Sequence, residues 1–404
     1  MPVPRRACKD PLTLAATTAR MQPDTSPLFS PYTLANITLK NRFIMPGMQR
    51  HWCRDGEPLP QMVEYFRRRV EGGIALVISE SAAVDHPAAT QQATAGHAYG
   101  RALDGWARCI DAVHQAGGCM FMQLWHEGAV RRQGHGGPHP DAPSVSPSGL
   151  VQADVSNGLA ATSQDLEQIR DAFVRAAVDA KRIGADGVEI HACHGYLLDL
   201  FLWAETNRRD DGYGGDDILA RVRFPQEIVA AIRDATGPDF VISFRFSQWK
   251  EVDFDARIVD TAEELALLLG ALKTAGVDVF HPSTRRFQVP EWPGSDLGLA
   301  GWTRRLGGKP VIAVGSVGLD IDLMSNLFGA DAKPSGASGI EELLRRFNRQ
   351  EFDLVAVGRA VIGDADWVNK VRDHRYHELR PFSRDDLTAG MEWEMSFVEQ
   401  AHGR

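Results

Sequence analysis

The sequence predicts a closed barrel of eight parallel strands, each followed by a helix. Three observations predict it. Eight short apolar runs recur from residue 40 onward. Each run is near-continuous in Val, Ile, Phe and Ala, the composition of a strand covered on both faces, and amphipathic segments of helix length separate the runs. An open doubly wound sheet is the rival, but no GxGxxG opens a helix after a first strand.

In chain order the runs are RFIMPG from 42, ALVISES from 75, CMFMQLWH from 119, GVEIHAC from 187, VISFRFS from 241, VDVFHPS from 277, PVIAVGS from 310 and LVAVGRA from 354. Helices are predicted at 61–71, 103–116, 164–183, 220–235 and 261–274. The last starts cleanly: Asp260 or Thr261 can cap free N–H groups, Glu263 and Glu264 suit the positive end of the dipole, and Gly276 follows the final turn. Two long stretches, 127–160 and 284–303, follow strand C-termini, where barrels build active sites, so both are expected to be lids or substrate walls. Arg67, Arg68 and Arg69 are expected on a solvated helix face.

Residues 1–27 carry Arg5, Arg6, Lys9 and Arg20, five prolines and no continuous apolar stretch. A frayed tail is expected rather than a secretory signal, with a transit peptide as the alternative. The barrel is assigned to 28–375. Residues 376–404, with Trp393 and Phe397, form an extension that docks on the barrel or on a neighbour, which leaves a homo-oligomer open.

The chain has 53 acidic residues against 44 basic ones, a formal charge of −9, so nucleic acid is not an expected partner. Its five cysteines, Cys8, Cys53, Cys109, Cys119 and Cys193, are sparse and none pairs at CxxC spacing. Neither a disulfide framework nor a cysteine-held cluster is expected. Arg, Lys, Asp or Gly interrupts every apolar run short of the roughly 18 residues a membrane span needs. The expectation is a soluble, cytoplasmic protein with no membrane partner.

Polar residues interrupt the runs at their C-terminal ends. Gln123, Trp125 and His126 end the third, His191 the fourth with His194 and Tyr196 beyond it, Arg245 lies in the fifth, Gly315 and Ser316 end the seventh, and Gly358 and Arg359 the eighth. In a barrel all of these converge on one face. Gly-Ser and Gly-Arg after adjacent strands offer backbone N–H groups and a guanidinium to an anion, which favours a phosphorylated ligand over plain tight turns. The His191 and His194 pair can ligate a metal, donate hydrogen bonds or pack inertly. No metal site is expected, because Glu189 lies on the same strand and no Asp or Cys ends a neighbouring one. Two imidazole N–H groups aimed at one oxygen polarise a carbonyl and stabilise an enolate, and Tyr196 is a nearby proton donor. Cys193 reads as a small buried hydrophobe. Trp125 either walls a ligand or fills core.

With these residues in place, the sequence resembles the Old Yellow Enzyme family of FMN-dependent NAD(P)H ene-reductases from about residue 28 to 375. The carrying motifs are LFSPYTLANITLKNRFIMPGMQR at 28–50, GGIALVISES at 72–81, QLWHEG at 123–128, GADGVEIHACHGYLLDLFL at 184–202 with NRRDDGYGG at 207–215, and VAVGRAVIGD at 355–364. The HxxHGYL core is the most specific. The resemblance implies FMN as cofactor, NADPH or NADH as reductant, and an enone-type small molecule as substrate. It places Pro46, Gly47, Met48, Gln49 and Ser81 beside the flavin, Gln123 on its pyrimidine edge and Arg245 where negative charge develops. Gly315, Ser316, Gly358 and Arg359 would hold the phosphate, His191 and His194 the substrate oxygen, and Tyr196 would protonate the α-carbon. Gly47 and Gln49 depart from the Pro and Thr or Cys common there, and Ala129 replaces a frequent arginine. The segment after Tyr213 is one residue longer than usual. No cysteine quartet follows the barrel, so the larger iron-sulfur relatives are not the expected pattern. A flavin oxidoreductase with another acceptor, or a non-catalytic FMN-binding barrel, are the alternatives.

Overall fold

The computed structural model describes residues 22–388. Most of the 1–27 tail, and the end of the 376–404 extension with Trp393 and Phe397, lie outside the described residues. All eight runs form strands: β1 (Phe43–Met45), β2 (Leu76–Ala83), β3 (Cys119–Trp125), β4 (Gly187–His194), β5 (Val241–Lys250), β6 (Val279–Pro282), β7 (Ile312–Val314) and β8 (Leu354–Ala356). They pair in parallel in the order β6-β5-β4-β3-β2-β1-β8-β7. Parallel bridges Phe280↔Val311 and Ser283↔Val314 join β6 to β7 and close the barrel.

The surrounding helices are α1 (Pro60–Glu71), α2 (Ala102–Gln115), α3 (Ser163–Arg182), α4 (Ile218–Thr236), α5 (Ala262–Ala275), α6 (Leu299–Gly307) and α7 (Gly336–Asn348). The five predicted from sequence lie within two residues of these bounds. At α5, Thr261 and Glu264 form a reciprocal capping box, and Gly276 takes the left-handed conformation at φ 118.

Apolar side chains pack in two places. One cluster fills the space between strands and helices. The other fills the N-terminal half of the barrel interior, where Ile44, Leu76, Phe121 and Val241 meet Leu34 and Leu39 of a short hairpin, Tyr32–Leu34 with Ile37–Leu39. The hairpin plugs that end. Functional groups are therefore confined to the opposite end of the interior.

The arginine triplet on α1 is not uniformly solvated. Arg67 pairs with Glu64 and Glu71 at the surface, but Arg69 is fully buried. Its guanidinium lies 3.7 Å from the Tyr65 ring centroid and donates to the Val361 and Ile362 carbonyls at 3.1 and 3.0 Å. It satisfies carbonyls at the end of the short helix Arg359–Gly363, a demand that helical periodicity does not reveal. The described part of the C-terminal extension packs on its own barrel: Phe382 is buried, and Arg50 Nη2 donates to the Asp386 carbonyl at 2.8 Å.

A buried ion pair ties the ends of β4 and β5 together. Lys250 Nζ lies 2.7 Å from Asp199 Oδ1, and both side chains are fully buried. Lys250 also donates to the Ser247 and Gln248 carbonyls, and Asp199 Oδ2 accepts the Gly195 N–H at 2.6 Å. Burial pushes the Asp199 carboxyl up to about 6, with Lys250 opposing the rise. Lys250→Met should destabilise the protein by about 3–5 kcal/mol at pH 8, since it strands a buried carboxylate. An acid whose folded pKa lies above its unfolded 3.8 binds its proton more tightly when folded, so its cost grows as pH rises through that window. The loss should therefore shrink at pH 5, and denaturant unfolding at the two pH values checks both statements.

Candidate functional site

The upper half of the barrel interior is polar, and strand register explains why the groups meet. Glu189 on β4 sits beside Gln123 on β3 and Ser243 on β5, and Arg245 beside His191 and His281. Residues alternate along each strand, so Glu189, His191 and Cys193 share the inward face. The Glu189 carboxylate is fully buried. It accepts from Gln123 Nε2 at 2.8 Å, Ser243 Oγ at 2.9 Å and His281 Nδ1 at 2.7 Å. Burial alone would raise its pKa, but His281, Arg245 and Gln123 together hold it down at about 2. Ser81 Oγ donates to Gln123 Oε1 at 2.6 Å, so the orientation of that amide is set from both sides.

Above this layer lies a cavity of about 470 Å3, within the usual range for small-molecule sites. Its walls contain all fourteen residues assigned to the site from the sequence. Pro46, Gly47, Met48 and Gln49 follow β1; Ser81, Gln123 and Arg245 rise from β2, β3 and β5; His191, His194 and Tyr196 come from β4 and the turn after it. Gly315, Ser316, Gly358 and Arg359 close the far end after β7 and β8. Trp125 is a wall too, edge-to-face on Tyr196 at 5.3 Å. His126 faces elsewhere, with Nε2 3.0 Å from His86 Nδ1 and Nδ1 accepting the Gly128 N–H.

His194 reaches the cavity through a backbone irregularity. Strict alternation would turn it away from His191, but the β4–β5 register slips after Ala192, and His194 adopts φ 67. The Ser247 hydroxyl accepts its backbone N–H at 3.0 Å. The two imidazole rings then meet edge-to-face with centroids 5.5 Å apart. Burial, followed by the Arg245 charge, lowers His191 to about 3 and His194 well below its ordinary value. Both rings are neutral donors. Burial, with Glu251 and Glu127 adding to it, pushes the Tyr196 phenol far up, so it keeps its proton.

Cys193 supplies the third potential metal ligand that the sequence reading found lacking, since its sulfur lies within 4.8 Å of the ligand atoms of His191 and His194. The geometry does not suit coordination. The sulfur is 3.8 Å from His191 Nδ1 and 3.9 Å from Nε2, and a point equidistant from both nitrogens lies along neither lone pair. Burial also raises the thiol's pKa well above its ordinary value, which disfavours the thiolate a metal requires.

The distal end suits an anion. Gly315 and Ser316 both take positive φ, 141 and 54, at the turn after β7. A Cβ at Gly315 would stand 2.6 Å from Thr284 Oγ1, so only glycine fits. Arg359 is buried, donates to Ser316 Oγ at 3.1 Å, and is lowered only to about 10 by that burial, so it stays charged at neutral pH. Near β1, a Cβ at Gly47 would approach Gln123 Nε2 to 2.7 Å. The unusual glycine makes room for that amide.

Several side chains in and behind the walls are not among the residues assigned from the sequence. Trp249 packs on His194 in a tilted arrangement with centroids 4.6 Å apart and lines both this cavity and a second one of about 410 Å3 between the β5 and β6 loops. Ser283 bonds His194 Nε2 at 2.8 Å. Glu80, raised to about 7 by burial, accepts the Arg50 N–H at 2.7 Å and fixes the loop carrying Gln49. The available signal was a polar residue inside an apolar strand, as at Glu80, Glu189 and His281. Of the two insertions expected as walls, 284–303 contributes Thr284 and Arg285, whereas 127–160 contributes nothing to the cavity. The latter folds into short strands such as Leu150–Gln152 and packs Gly128 against Leu197.

The residues fit FMN on independent grounds. Both amide atoms of Gln49, Arg245 Nε and Trp125 Nε1 are buried in the cavity walls without protein partners, and buried polar atoms of this kind call for a polar ligand. A flavin ring offers donors and acceptors along its edge, and the glycine-lined end with Arg359 suits its phosphate.

Comparison with known proteins agrees in fold and in family. The chain is 32% identical to an NADH oxidase of Thermoanaerobacter brockii over 87% of its own length and 52% of that protein's. It is 27% identical to the putative 12-oxophytodienoate reductase 11 of Oryza sativa subsp. japonica over 85% of its length and 97% of that protein's. It thus spans about half the NADH oxidase and nearly all of the rice protein. A solved structure of morphinone reductase in complex with tetrahydroNAD superposes with a TM-score of 0.72 at 26% identity, covering 89% of this chain and 93% of that one. Residues 27–324, more than half of the chain, match the NADH:flavin oxidoreductase / NADH oxidase family, and the chain belongs to that family, the Old Yellow Enzymes.

Proposed function

We propose that this protein is an FMN-dependent oxidoreductase that uses NADPH or NADH to reduce activated C=C bonds, such as those of α,β-unsaturated carbonyl compounds. The supporting observation is the meeting of two neutral imidazoles and a protonated phenol in one cavity whose far end suits a phosphate.

FMN, when bound, supplies hydride exchange between the nicotinamide and the β-carbon of the substrate. The protein's residues hold and polarise. Gly315, Ser316, Gly358 and Arg359 bind the phosphate, while Gln49, Gln123 and Arg245 meet the polar edge of the ring. Arg245, whose Nη1 lies 3.3 Å from the Gly47 carbonyl, supplies fixed positive charge there. His191 and His194 donate to the carbonyl oxygen and gain strength as it becomes enolate-like. Tyr196 delivers the proton to the α-carbon, and its raised pKa keeps that proton in place until the carbon is basic.

Purified protein should be yellow. Without oxygen, NADPH or NADH should bleach it and cyclohexenone should restore the colour; a preparation that stays yellow with both nicotinamides would instead be a non-catalytic FMN carrier. Arg359→Ala should cut FMN retention more than about tenfold, because a buried charge-assisted contact is lost. Tyr196→Phe should leave bleaching nearly unchanged and slow recolouring by about 100-fold. Stopped-flow traces of the two half-reactions separate these effects, and equal slowing of both by Tyr196→Phe contradicts the assigned role. His191 should contribute no step to enone binding near pH 6.5, the ordinary imidazole value, since it has already lost its proton above about 3. An inflection at that pH in an affinity profile that disappears in His191→Asn would place a charged imidazole in the site.

A further inference from the structure

We propose that Ser283 is a positioning residue that fixes the proton of His194 on Nδ1, so that the ring offers Nδ1–H to the cavity. The inference concerns the free ring; only its consequence for ligands rests on the function proposed above.

Ser283 follows β6 and is buried, its backbone N–H held by the Phe246 carbonyl at 2.7 Å. Its hydroxyl oxygen meets two groups: Arg245 Nη2 at 3.4 Å and His194 Nε2 at 2.8 Å. Among the described residues it has no other hydrogen-bond partner. A guanidinium only donates, so Arg245 takes an oxygen lone pair and cannot receive the serine hydrogen. If His194 carried its proton on Nε2, that proton would also point at the oxygen, and the hydroxyl hydrogen would have no acceptor among the described residues. With Nε2 bare, the hydroxyl donates to it, and the serine hydrogen and the Arg245 Nη2 hydrogen both have acceptors. A buried hydrogen bond left unmade is the costlier arrangement.

The tautomer then follows. The ring is neutral, because burial and Arg245 both disfavour a second proton, so the single ring proton sits on Nδ1. Among the described residues no hydrogen bond occupies that nitrogen, while the ring lines the cavity. Trp249 packs against the ring, tilted by 32° with centroids 4.6 Å apart, and its Nε1 donates to the Ser283 carbonyl at 3.2 Å. Arg245, Ser283 and His194 form a chain of donors that runs from a fixed cation to the cavity, and each link strengthens the next donor.

The holoenzyme, labelled with 15N only in histidine, tests this directly. Long-range proton–nitrogen correlation should give His194 a pyrrole-type Nδ1 and a pyridine-type Nε2, assigned by the signals lost in His194→Asn. Ser283→Ala should move the pattern toward Nε2–H and weaken binding of a para-substituted phenol, read from its absorption change, by roughly tenfold. Ser283→Thr, which keeps the hydroxyl, should restore both. A pyrrole-type Nε2 in the wild-type protein overturns the proposal, whatever the variants do. So does an unchanged nitrogen pattern in Ser283→Ala. If wild-type protein binds no phenol, the function proposed above fails, and the nitrogen shifts alone decide the role of Ser283.

Discussion

The upper half of this barrel is organised around one buried carboxylate. Glu189 has no access to water, so both of its oxygens must find donors within the protein, and those three donors come from strands on both sides. Meeting that demand fixes Gln123, Ser243 and His281 in rotamer and register. A parallel sheet permits it because in-register neighbours on adjacent strands present side chains at one height. The charge also balances Arg245, which would otherwise stand uncompensated over an apolar floor. The groups facing the cavity are thus second members of pairs whose first members are already locked.

This division accounts for much of what the sequence shows and hides. Strand existence, helix bounds and the strand ends that bear functional groups were legible, because burial on both faces leaves a plain apolar signature and barrels place chemistry at one end. The fourteen residues singled out for the site do line one cavity. The support beneath them was not legible. Glu189 was weighed only as a metal ligand, since its role depends on register with Gln123 and Ser243, which no single strand displays. Arg69 looked like a solvated charge because its carbonyl partners lie some 290 residues away in the chain. The insertion at 127–160 followed the right strand end, but its own short strands and Gly128 packing carry it off the cavity.

Conformation also departs from pattern where function concentrates. Period-two alternation puts His191 inside and His194 outside, and a slipped register with one left-handed residue reverses the second. Such backbone costs roughly 1–3 kcal/mol and persists only where surroundings over-determine it. Here the Ser247 hydroxyl holds the backbone, Trp249 covers the ring, and the Asp199–Lys250 pair anchors the following turn through Gly195. The turn that carries Tyr196 is therefore tied to β5 by a buried charge pair, so the acid and both imidazoles sit on one braced segment.

The electrostatic state of that segment matters more than its composition. Charged imidazoles would bind any anion tightly in the ground state and spend their attraction before the reaction begins. Neutral imidazoles interact modestly with a carbonyl and more strongly with the oxyanion it becomes, and only that difference lowers a barrier. Burial and Arg245 keep both rings neutral, while the same burial keeps the Tyr196 proton from leaving early. In the proposed reaction, then, one fixed cation does two jobs: it faces the polar edge of the cofactor, and it holds two nearby bases uncharged so that they can serve as donors.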